Sequence, residues 1–431
     1  MKLYLGIDLG STTSKAIIVD EKGTIIGRGI TNTRANYETA AEIARMEAEY
    51  NSRFSLLLHS INKVGGSSDE LHSIINQVEV AFQYLQFHKR YQILHDNMRT
   101  TVEEKQRRQI KHILNDELDK VFKKIETDIR SEFLAGTVST STQFFRDIFS
   151  AHYMHEIESL EQSLFDDLVS IYEVSILSVE NQVVSFDFSE LVMNAVDLVV
   201  DNKNGKLDKF KSGVDAVASL DLAPADYIGT GYGRQLLPFE EKHIKSEILC
   251  HAFGAHNFFP KTRTVLDIGG QDTKAIQVDG HGLVTSFQMN DRCAAGCGRY
   301  LGYIADELSL SVSELGPMAL ECDYETNICS TCTVFAGAEL RENLNLGEKR
   351  ENILAGLHKA IVMRAFSLLA RSGGVRNEFT FTGGVARNPA VVKYVSQMVK
   401  ENYGDLTINI HPDSIFMGAL GAALLSKNRR D

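Results

Sequence analysis

Two short stretches of this sequence combine glycines, hydroxyl residues, aspartates and a lysine in a pattern typical of phosphate binding. Asp8–Asp20 and Asp267–Asp279 align without a gap and share Asp, Gly, a hydroxyl residue, Lys, Ala, Ile, Val and Asp. In each copy, glycine after an apolar strand lets the backbone turn sharply and bring its N–H groups close to an anion. We therefore interpret the pair as an internal repeat of two strand–turn–strand phosphate sites.

Carboxylates near the second turn are candidates for binding a metal and for positioning water. Asp267 and Asp272 stand where a Mg²⁺ carried by a phosphate would need hard oxygen ligands. Glu247 lies on a helix predicted over Glu240–His251, and it could orient an attacking water. The alternative for Glu247 is an ordinary solvent-facing residue, which the sequence leaves open.

Thiols follow the second turn closely, and all six cysteines lie in the C-terminal half of the chain. Asn290–Cys297 has the signature of a helix start, where the positive end of the helix favours thiolate. Cys293-x3-Cys297 and Cys329-x2-Cys332 have spacings that could hold a cluster or a zinc within one chain. In a reducing cytoplasm such clustering favours metal ligation over disulfides. A nucleotide coupled to metal or redox chemistry is therefore expected.

Composition is that of a globular protein of two or three domains. The 431 residues are 43% hydrophobic and 24% charged. No run of eighteen apolar residues occurs, and the N-terminus lacks the pattern of a signal peptide, so we expect no membrane span and a cytoplasmic location. The formal net charge of −12 argues against a nucleic-acid partner.

The elements that must position these residues change character along the chain. Leu3–Asp8, Lys15–Val19 and Ile25–Ile30 read as three strands, the first two joined by the phosphate turn. Between residues 40 and 200 there are no prolines and only three glycines, and apolar residues recur at helical spacing. The sequence therefore predicts a large all-helical insertion.

The αβ pattern returns near residue 201. The loop Gly229–Arg234 has three alternate glycines, which we interpret as a tight turn rather than as a dinucleotide site. A second glycine pair ends the strand Glu378–Phe381, and such a loop suits the flat face of an adenine. The small residues of Phe416–Ala423 predict a helix that packs closely on its neighbours.

Three loops, Asp8–Lys15, Asp267–Lys274 and Phe381–Asn388, resemble the two phosphate motifs and the adenosine motif of the superfamily of actin, sugar kinases and heat-shock chaperones. That resemblance implies an α/β fold of two ribonuclease-H-like domains around an ATP cleft, with the helical insertion added. The implied first domain comprises 1–40, 201–257 and 415–431, the insertion 41–200, and the second domain 258–414.

More specifically, six motifs in order are similar to those of the ATP-dependent activator family of 2-hydroxyacyl-CoA dehydratases and benzoyl-CoA reductases. These motifs are GIDLGSTTSK, GTGYGR, DIGGQDTKAI, NDRCAAGCGR, STCTVFA and TGGVARN. The resemblance implies one [4Fe–4S] cluster shared with a partner subunit, to which this chain gives the thiolates of Cys293 and Cys332. Cys297 and Cys329 depart from the family pattern, so a four-thiol site within this chain stays open.

The resemblance also implies roles in the cleft. Asp8 and Asp267 would hold Mg²⁺ or its waters, Asp272 would help position water, and Glu247 is the further catalytic candidate. The residues predicted to bind ATP are Gly10, Ser11, Thr12, Thr13, Lys15, Gly269, Gly270, Gln271, Lys274, Gly383, Gly384, Val385, Arg387 and Asn388.

The insertion is similar to that of the larger ATP-binding subunit of class I benzoyl-CoA reductase. This similarity implies an ATPase that drives electrons into the dearomatising reduction of benzoyl-CoA. Its partners would be a shorter homologous ATP-binding subunit, CoA-thioester-binding reductase subunits and ferredoxin as the electron donor. An activator of a 2-hydroxyacyl-CoA dehydratase is one alternative, and a chaperone- or actin-like interaction protein with structural cysteines is another.

Overall fold

The structure of the protein is a computed structural model, and the chain divides into two compact units. One unit comprises Met1–Ile25 and Pro224–Asp431, and the other comprises Ile26–Ala223. The division into two ribonuclease-H-like domains and an insertion with the boundaries given above stays a prediction. The described residues are 1–33, 36–63, 68–105, 110–138, 144–199, 206–290, 297–308, 310–328 and 333–429.

The first sheet of the first unit is built on β1 (Leu3–Leu9). β1 pairs antiparallel with β2 (Thr13–Asp20) and parallel with β4 (Asp226–Thr230). The next strand in sequence, β3 (Ile25–Asn32), begins at Ile25, which is the last residue of this unit's N-terminal segment. Side chains on both faces of β1 are buried, which explains its nearly continuous apolar run. The three predicted strands are confirmed.

The second sheet has the strand order β7-β6-β5-β8-β9. β5 pairs antiparallel with β6, and β6 with β7, whereas β5, β8 and β9 run parallel. The strands are β5 (Thr264–Ile268), β6 (Thr273–Val278), β7 (Val284–Asn290), β8 (Phe379–Thr382) and β9 (Ile408–Asn409).

The two hairpins repeat each other in detail. Asp8 is the Cα partner of Lys15 in the first hairpin, and Asp267 is that of Lys274 in the second. Both hairpins continue into a turn in which an aspartate Oδ1 accepts hydrogen bonds from the N–H groups two and four residues later. Asp20 does so at 2.8 Å from both donors, and Asp279 at 2.8 and 2.9 Å. The internal repeat is confirmed.

Two helices rich in small residues pack beside the first sheet. They are α8 (Glu247–Phe258) and α14 (Met417–Asn428), and they contact each other, while α14 also contacts β1 and β4. A Cβ at Gly421 would collide with the carbonyl oxygen of Cys250, and one at Gly6 would collide with that of Ala419. The predicted close packing of the C-terminal helix is therefore confirmed.

Around the second sheet, five further helices form the largest hydrophobic core with β5 and β8. α12 is apolar enough over its length to pass for a membrane span, yet 72% of that apolar window is buried inside the protein, as in a core helix. These helices are α9 (Gly298–Leu308), α10 (Val312–Leu320), α11 (Thr333–Asn345), α12 (Arg350–Ser372) and α13 (Pro389–Tyr403).

The second unit is helical after β3, as predicted. Among the described residues, one hydrophobic core joins α2, α3, α4 and α5, and another joins α1, α2, α6 and α7 around aromatic rings that meet edge to face. The helices are α1 (Tyr37–Lys63), α2 (Ser68–Lys105), α3 (Lys111–Ala135), α4 (Phe145–Ile157), α5 (Gln162–Glu180), α6 (Phe188–Val199) and α7 (Lys206–Ala218).

One predicted helix starts later than expected. The sequence predicts a helix over Glu240–His251, but a single 3₁₀ turn covers Glu241–His243 and α8 begins only at Glu247. The reason is tertiary, because the N–H of Lys245 donates to the carbonyl oxygen of Gly229 at the end of β4, at 2.9 Å. This extended connection places Glu247 in the first turn of α8.

Candidate nucleotide site

The two repeated aspartates lie at equivalent strand ends, and both are almost fully buried. Asp8 is 3% exposed at the end of β1, and Asp267 is 1% exposed at the end of β5. Asp8 is confined by two glycines: a Cβ at Gly231 would collide with its Oδ1, and one at Gly418 would lie 2.8 Å from its Oδ2. Gly231 has φ +97°, a conformation that favours glycine. The close approach therefore explains the glycine-rich loop after β4.

His251 of α8 lies between these two aspartates. Its Nδ1 is 3.3 Å from Asp267 Oδ1, and its Nε2 is 3.9 Å from Asp8 Oδ2. The Oγ1 of Thr382 donates a hydrogen bond of 2.9 Å to the same Oδ1 of Asp267. One imidazole thus connects the carboxylates of the two repeats.

Lys274 lies at the centre of a second group of carboxylates. Its Nζ is 2.7 Å from Asp272 Oδ2, 3.4 Å from Asp267 Oδ2 and 3.7 Å from Glu247 Oε2. Arg234 adds a longer contact of 3.9 Å to Glu247. Glu247 is therefore buried at the site rather than facing solvent, whereas Lys274 faces carboxylates. The predicted contact of Lys274 with phosphate stays a prediction.

The charges of this cluster stabilise one another. Burial alone would raise the pKa of Asp267, but His251 and Lys274 outweigh it, so this pKa lies far below its usual range. Burial alone would lower the pKa of Lys274 and of His251, but neighbouring carboxylates, Asp267 first among them, raise both. Glu247 differs, because burial dominates and raises its pKa. Asp267 therefore stays ionised in the folded protein, and an ionised carboxylate is what Mg²⁺ needs as a ligand.

The two predicted phosphate turns approach each other. A Cβ at Gly270 would collide with Thr12 Oγ1, so the second turn passes directly against the first. The N–H of Gly269 donates to the carbonyl oxygen of Asp272 at 2.9 Å, which closes the second turn. Lys15 Nζ lies 3.8 Å from Asp8 Oδ2 in the first. The structure brings the residues of both turns together, and their contacts with nucleotide stay predictions.

The predicted adenosine loop packs on the end of β5. Gly383 has φ +90°, and a Cβ there would collide with the carbonyl oxygen of Ile268. Gly384 begins a 3₁₀ turn that runs to Arg387 and contains the buried Val385. The loop therefore reaches the same end of β5 as the second phosphate turn.

Asn388 has a structural task at the end of this loop. Its Oδ1 accepts hydrogen bonds from the N–H groups of Ala390 and Val391 and so caps α13. Its Nδ2 donates to Nε2 of His358 at 3.0 Å, and the guanidinium of Arg387 donates to the carbonyl oxygen of Pro412 at 3.2 Å. Adenosine contacts by either residue stay predictions.

The predicted cluster ligands Cys293 and Cys332 lie outside the described residues, as does Cys329. Cys297 is 1% exposed and immediately precedes α9. Cys250 is fully buried, and burial raises the pKa of its thiol to about 12, as expected for a thiol that packs like a small apolar residue.

Sequence reasoning missed His251, Thr382 and Gly418. His251 follows Glu247 by four residues, so both lie on one face of α8, and this spacing was a readable signal. Thr382 and Gly418 carry no comparable signal, because their roles arise from the pairing of β5 with β8 and from the packing of α14 on α8.

Comparison with known proteins identifies the class of protein first. The chain superposes on the activator of the 2-hydroxyisocaproyl-CoA dehydratase from Clostridium difficile with bound ADPNP, with a TM-score of 0.52 and 22% identity, over 99% of this chain and 94% of that one. The chain thus shares the α/β fold of that activator and carries a long helical segment between β3 and β4, which confirms the expected fold class.

The family follows from sequence. The model of the BadF/BadG/BcrA/BcrD ATPase family matches residues 5–426, and the chain belongs to that family. It is 43% identical over 195 residues, 45% of this chain, to the 2-hydroxyisocaproyl-CoA dehydratase activator of Clostridioides difficile, covering 71% of that protein. It is 32% identical over 214 residues, 50% of this chain, to one of the benzoyl-CoA reductase subunits of Thauera aromatica, covering 76% of that protein.

Proposed function

We propose that this chain hydrolyses Mg²⁺-ATP and thereby drives low-potential electron transfer to an enzyme that acts on a CoA thioester. The observation that carries the proposal is the buried pair of repeated aspartates, Asp8 and Asp267, brought to one imidazole beside two facing phosphate turns. Membership of an ATPase family, and the ADPNP bound to the related activator, support the nucleotide.

The described residues fit Mg²⁺. Asp8 and Asp267 would hold the ion or its waters, since Mg²⁺ is usually bound by one or two carboxylates together with phosphates. When bound, the ion would neutralise charge on the phosphate oxygens. Lys274 keeps Asp272 and Glu247 in place beside Asp267, and these two carboxylates would orient the attacking water.

The cluster is proposed from the family resemblance, with Cys293 and Cys332 as ligands and a partner subunit supplying two more. A [4Fe–4S] cluster supplies one-electron transfer. Cys297 and Cys329 stand where the family pattern has a residue that is not a ligand, so the proposed ligand set leaves them out.

Two classes of electron-accepting enzyme suit this function. Curated relatives favour a 2-hydroxyacyl-CoA dehydratase, since the activators match at 42–43% identity whereas the benzoyl-CoA reductase subunit matches at 32%. The helical unit is the feature that favours dearomatising reduction of benzoyl-CoA, with a shorter homologous subunit, CoA-thioester-binding subunits and ferredoxin as partners. We propose that this chain and its partner enzyme are cytoplasmic. Family membership speaks against the chaperone-like alternative.

The nucleotide assignment is tested with Asp8→Asn and Asp267→Asn. Each change removes a buried negative charge that faces the Mg²⁺, so ATP turnover should fall by at least about 100-fold while the protein stays folded. Phosphate release at saturating Mg²⁺ measures turnover, and circular dichroism measures folding.

Asp20→Asn and Asp279→Asn are the matched controls. These aspartates end the same two repeats, but they only accept backbone hydrogen bonds in turns, which an asparagine oxygen also does. Both controls should turn over ATP normally. Normal turnover in Asp8→Asn and Asp267→Asn as well would remove the phosphate-site assignment.

The cluster assignment is tested by iron content. Cys293→Ser and Cys332→Ser, purified anaerobically with a homologous partner subunit, should lose iron and the EPR signal of the reduced protein while ATP still binds. Cys297→Ala and Cys329→Ala should keep both iron and signal, at about one [4Fe–4S] per pair of subunits. If Cys297→Ala or Cys329→Ala strips the iron as completely as Cys293→Ser does, a four-thiol site within this chain replaces the shared one.

A further inference from the structure

The first turn of α9 is bonded directly to the second phosphate turn. The N–H of Gly298 donates to the carbonyl oxygen of Gly269 at 2.8 Å, and the N–H of Arg299 donates to that of Gly270 at 2.6 Å. The first four N–H groups of an α-helix have no partner within the helix. Two of those four in α9 are therefore satisfied by the phosphate turn itself.

Gly298 also touches the predicted adenosine loop. A Cβ at this position would lie 3.2 Å from the carbonyl oxygen of Gly269, 3.2 Å from Val385 Cγ2 and 3.5 Å from Gly270 Cα. Gly302, one turn later on the same helix, has no atom within 4 Å of the corresponding point. Of these two glycines of α9, only Gly298 lies in close contact with the loops.

These hydrogen bonds fix the direction of the phosphate turn. A trans peptide is planar, so its carbonyl oxygen and its N–H point in opposite directions. When α9 holds the carbonyl oxygens of Gly269 and Gly270, it also sets the direction of the N–H groups of Gly270 and Gln271. These are the groups predicted to meet phosphate.

We propose that Gly298 is a positioning residue for the nucleotide. It lets the first turn of α9 lie against both glycine loops, and the N–H groups of that turn hold the phosphate turn in its binding conformation. The affinity for ATP therefore depends on where α9 begins. This inference rests on the proposed ATP function. It assigns to Gly298 an indirect role in that function, through the phosphate turn and without contact with the nucleotide.

The test compares Gly298→Ala with Gly302→Ala in the full chain. Both changes replace a glycine of α9 by alanine, which favours the helix. Only alanine at 298 would bring a Cβ to 3.2 Å from the Gly269 carbonyl oxygen and from Val385 Cγ2, so that α9 or these neighbours must shift by a few tenths of an ångström. Gly298→Ala should weaken binding of Mg²⁺ with a non-hydrolysable ATP analogue by about tenfold, a factor that corresponds to 1.4 kcal/mol. Gly302→Ala should bind as the unaltered chain does. Calorimetric titration measures affinity, and thermal unfolding checks the fold.

The outcomes separate this inference from the proposed function. If the unaltered chain binds no ATP analogue, the proposed function fails first. If the unaltered chain binds and Gly298→Ala binds equally well, the positioning role of Gly298 is wrong. Equal weakening by Gly302→Ala would also overturn it, because the effect would then belong to the helix as a whole.

A second variant covers the case in which Gly298→Ala does not fold. Arg299→Pro removes the N–H that bonds to Gly270 and adds no atom at position 298, and proline is tolerated in the first turn of a helix. Its affinity is compared with that of Arg299→Ala, which loses the same charge and keeps the N–H. Weaker binding by Arg299→Pro supports the role of these hydrogen bonds, and equal affinities of the two variants refute it.

Discussion

At the scale of single residues, the site concentrates opposite charges where water is excluded. Asp267, Lys274 and His251 are each less than a tenth exposed, and each lies within 3.4 Å of a side chain that can carry the opposite charge. Removing one member of such a group leaves the others as buried uncompensated charges, which is more costly than the pairing is favourable. Each charged side chain of the cluster therefore helps to fix the positions of the others.

His251→Gln should slow ATP hydrolysis by about 10- to 100-fold, the usual cost of removing a group that orients metal-binding carboxylates. The glutamine lacks the ring that spans from Asp267 to Asp8. Steady-state kinetics should show the loss in kcat rather than in KM, because the nucleotide turns are unchanged.

His256→Gln is the control, since His256 lies on the same helix but packs against Gly282 rather than against the aspartates. Turnover should be unchanged in this variant. A normal kcat in His251→Gln would show that the imidazole only fills space between the two strands.

At the scale of elements, α12 and α13 are connected through one buried histidine. The Nδ1–H of His358 donates to the carbonyl oxygen of Leu354 at 2.6 Å, and its Nε2 accepts from Asn388, whose own oxygen caps α13. Both ring nitrogens thus have partners only in the neutral form. Burial lowers the pKa of His358 to about 4, so the imidazole stays neutral in the folded protein.

This histidine should make the protein less stable in mild acid. A histidine with an ordinary pKa near 6.5 in the unfolded chain gains a proton there first, so its contribution is present above pH 6.5 and is lost as the pH falls towards 4. Between pH 7 and pH 5 the expected loss is about 2 kcal/mol in the free energy of unfolding. Urea unfolding across this range measures it.

His358→Gln provides the comparison, because glutamine does not titrate. This variant should be less stable at pH 7 but should show a shallower decline in acid. His112→Gln, a change at an exposed histidine of α3, should keep the slope of the unaltered protein. Parallel slopes for His358→Gln and the unaltered protein would contradict the assignment.

At the scale of the whole molecule, the chain is divided between two compact units. All described residues of the predicted nucleotide loops belong to the unit formed by Met1–Ile25 and Pro224–Asp431. The helical unit has two hydrophobic cores of its own, one of them built from interlocking aromatic side chains. Nucleotide binding is therefore expected to be a property of the first unit.

A deletion tests this division. Removing residues 50–190 and joining the ends with a short glycine linker should leave ATP binding measurable, because no nucleotide loop lies inside the deleted segment. Titration with an ATP analogue gives the affinity, and circular dichroism should show the loss of helix. A folded deletion variant that binds no ATP would show that the helical unit shapes the cleft.

The sequence by itself determined the repeat and the long helical stretch, and the fold class followed from the resemblance of its motifs to a known superfamily. Glycines after apolar strands, an unbroken 13-residue match between Asp8–Asp20 and Asp267–Asp279, and a long stretch without proline are local signals. Local signals survive in any fold that contains them, because they reflect backbone conformation and periodicity.

Only the tertiary structure decided which side chains surround the two aspartates. His251, Thr382 and Gly418 come from three separate elements, and nothing in their own neighbourhoods marks them except the four-residue spacing of His251 from Glu247. The late start of α8 was likewise decided by a hydrogen bond from Lys245 to β4. Such contacts depend on strand pairing and helix packing between residues far apart in the chain, and local patterns do not encode them.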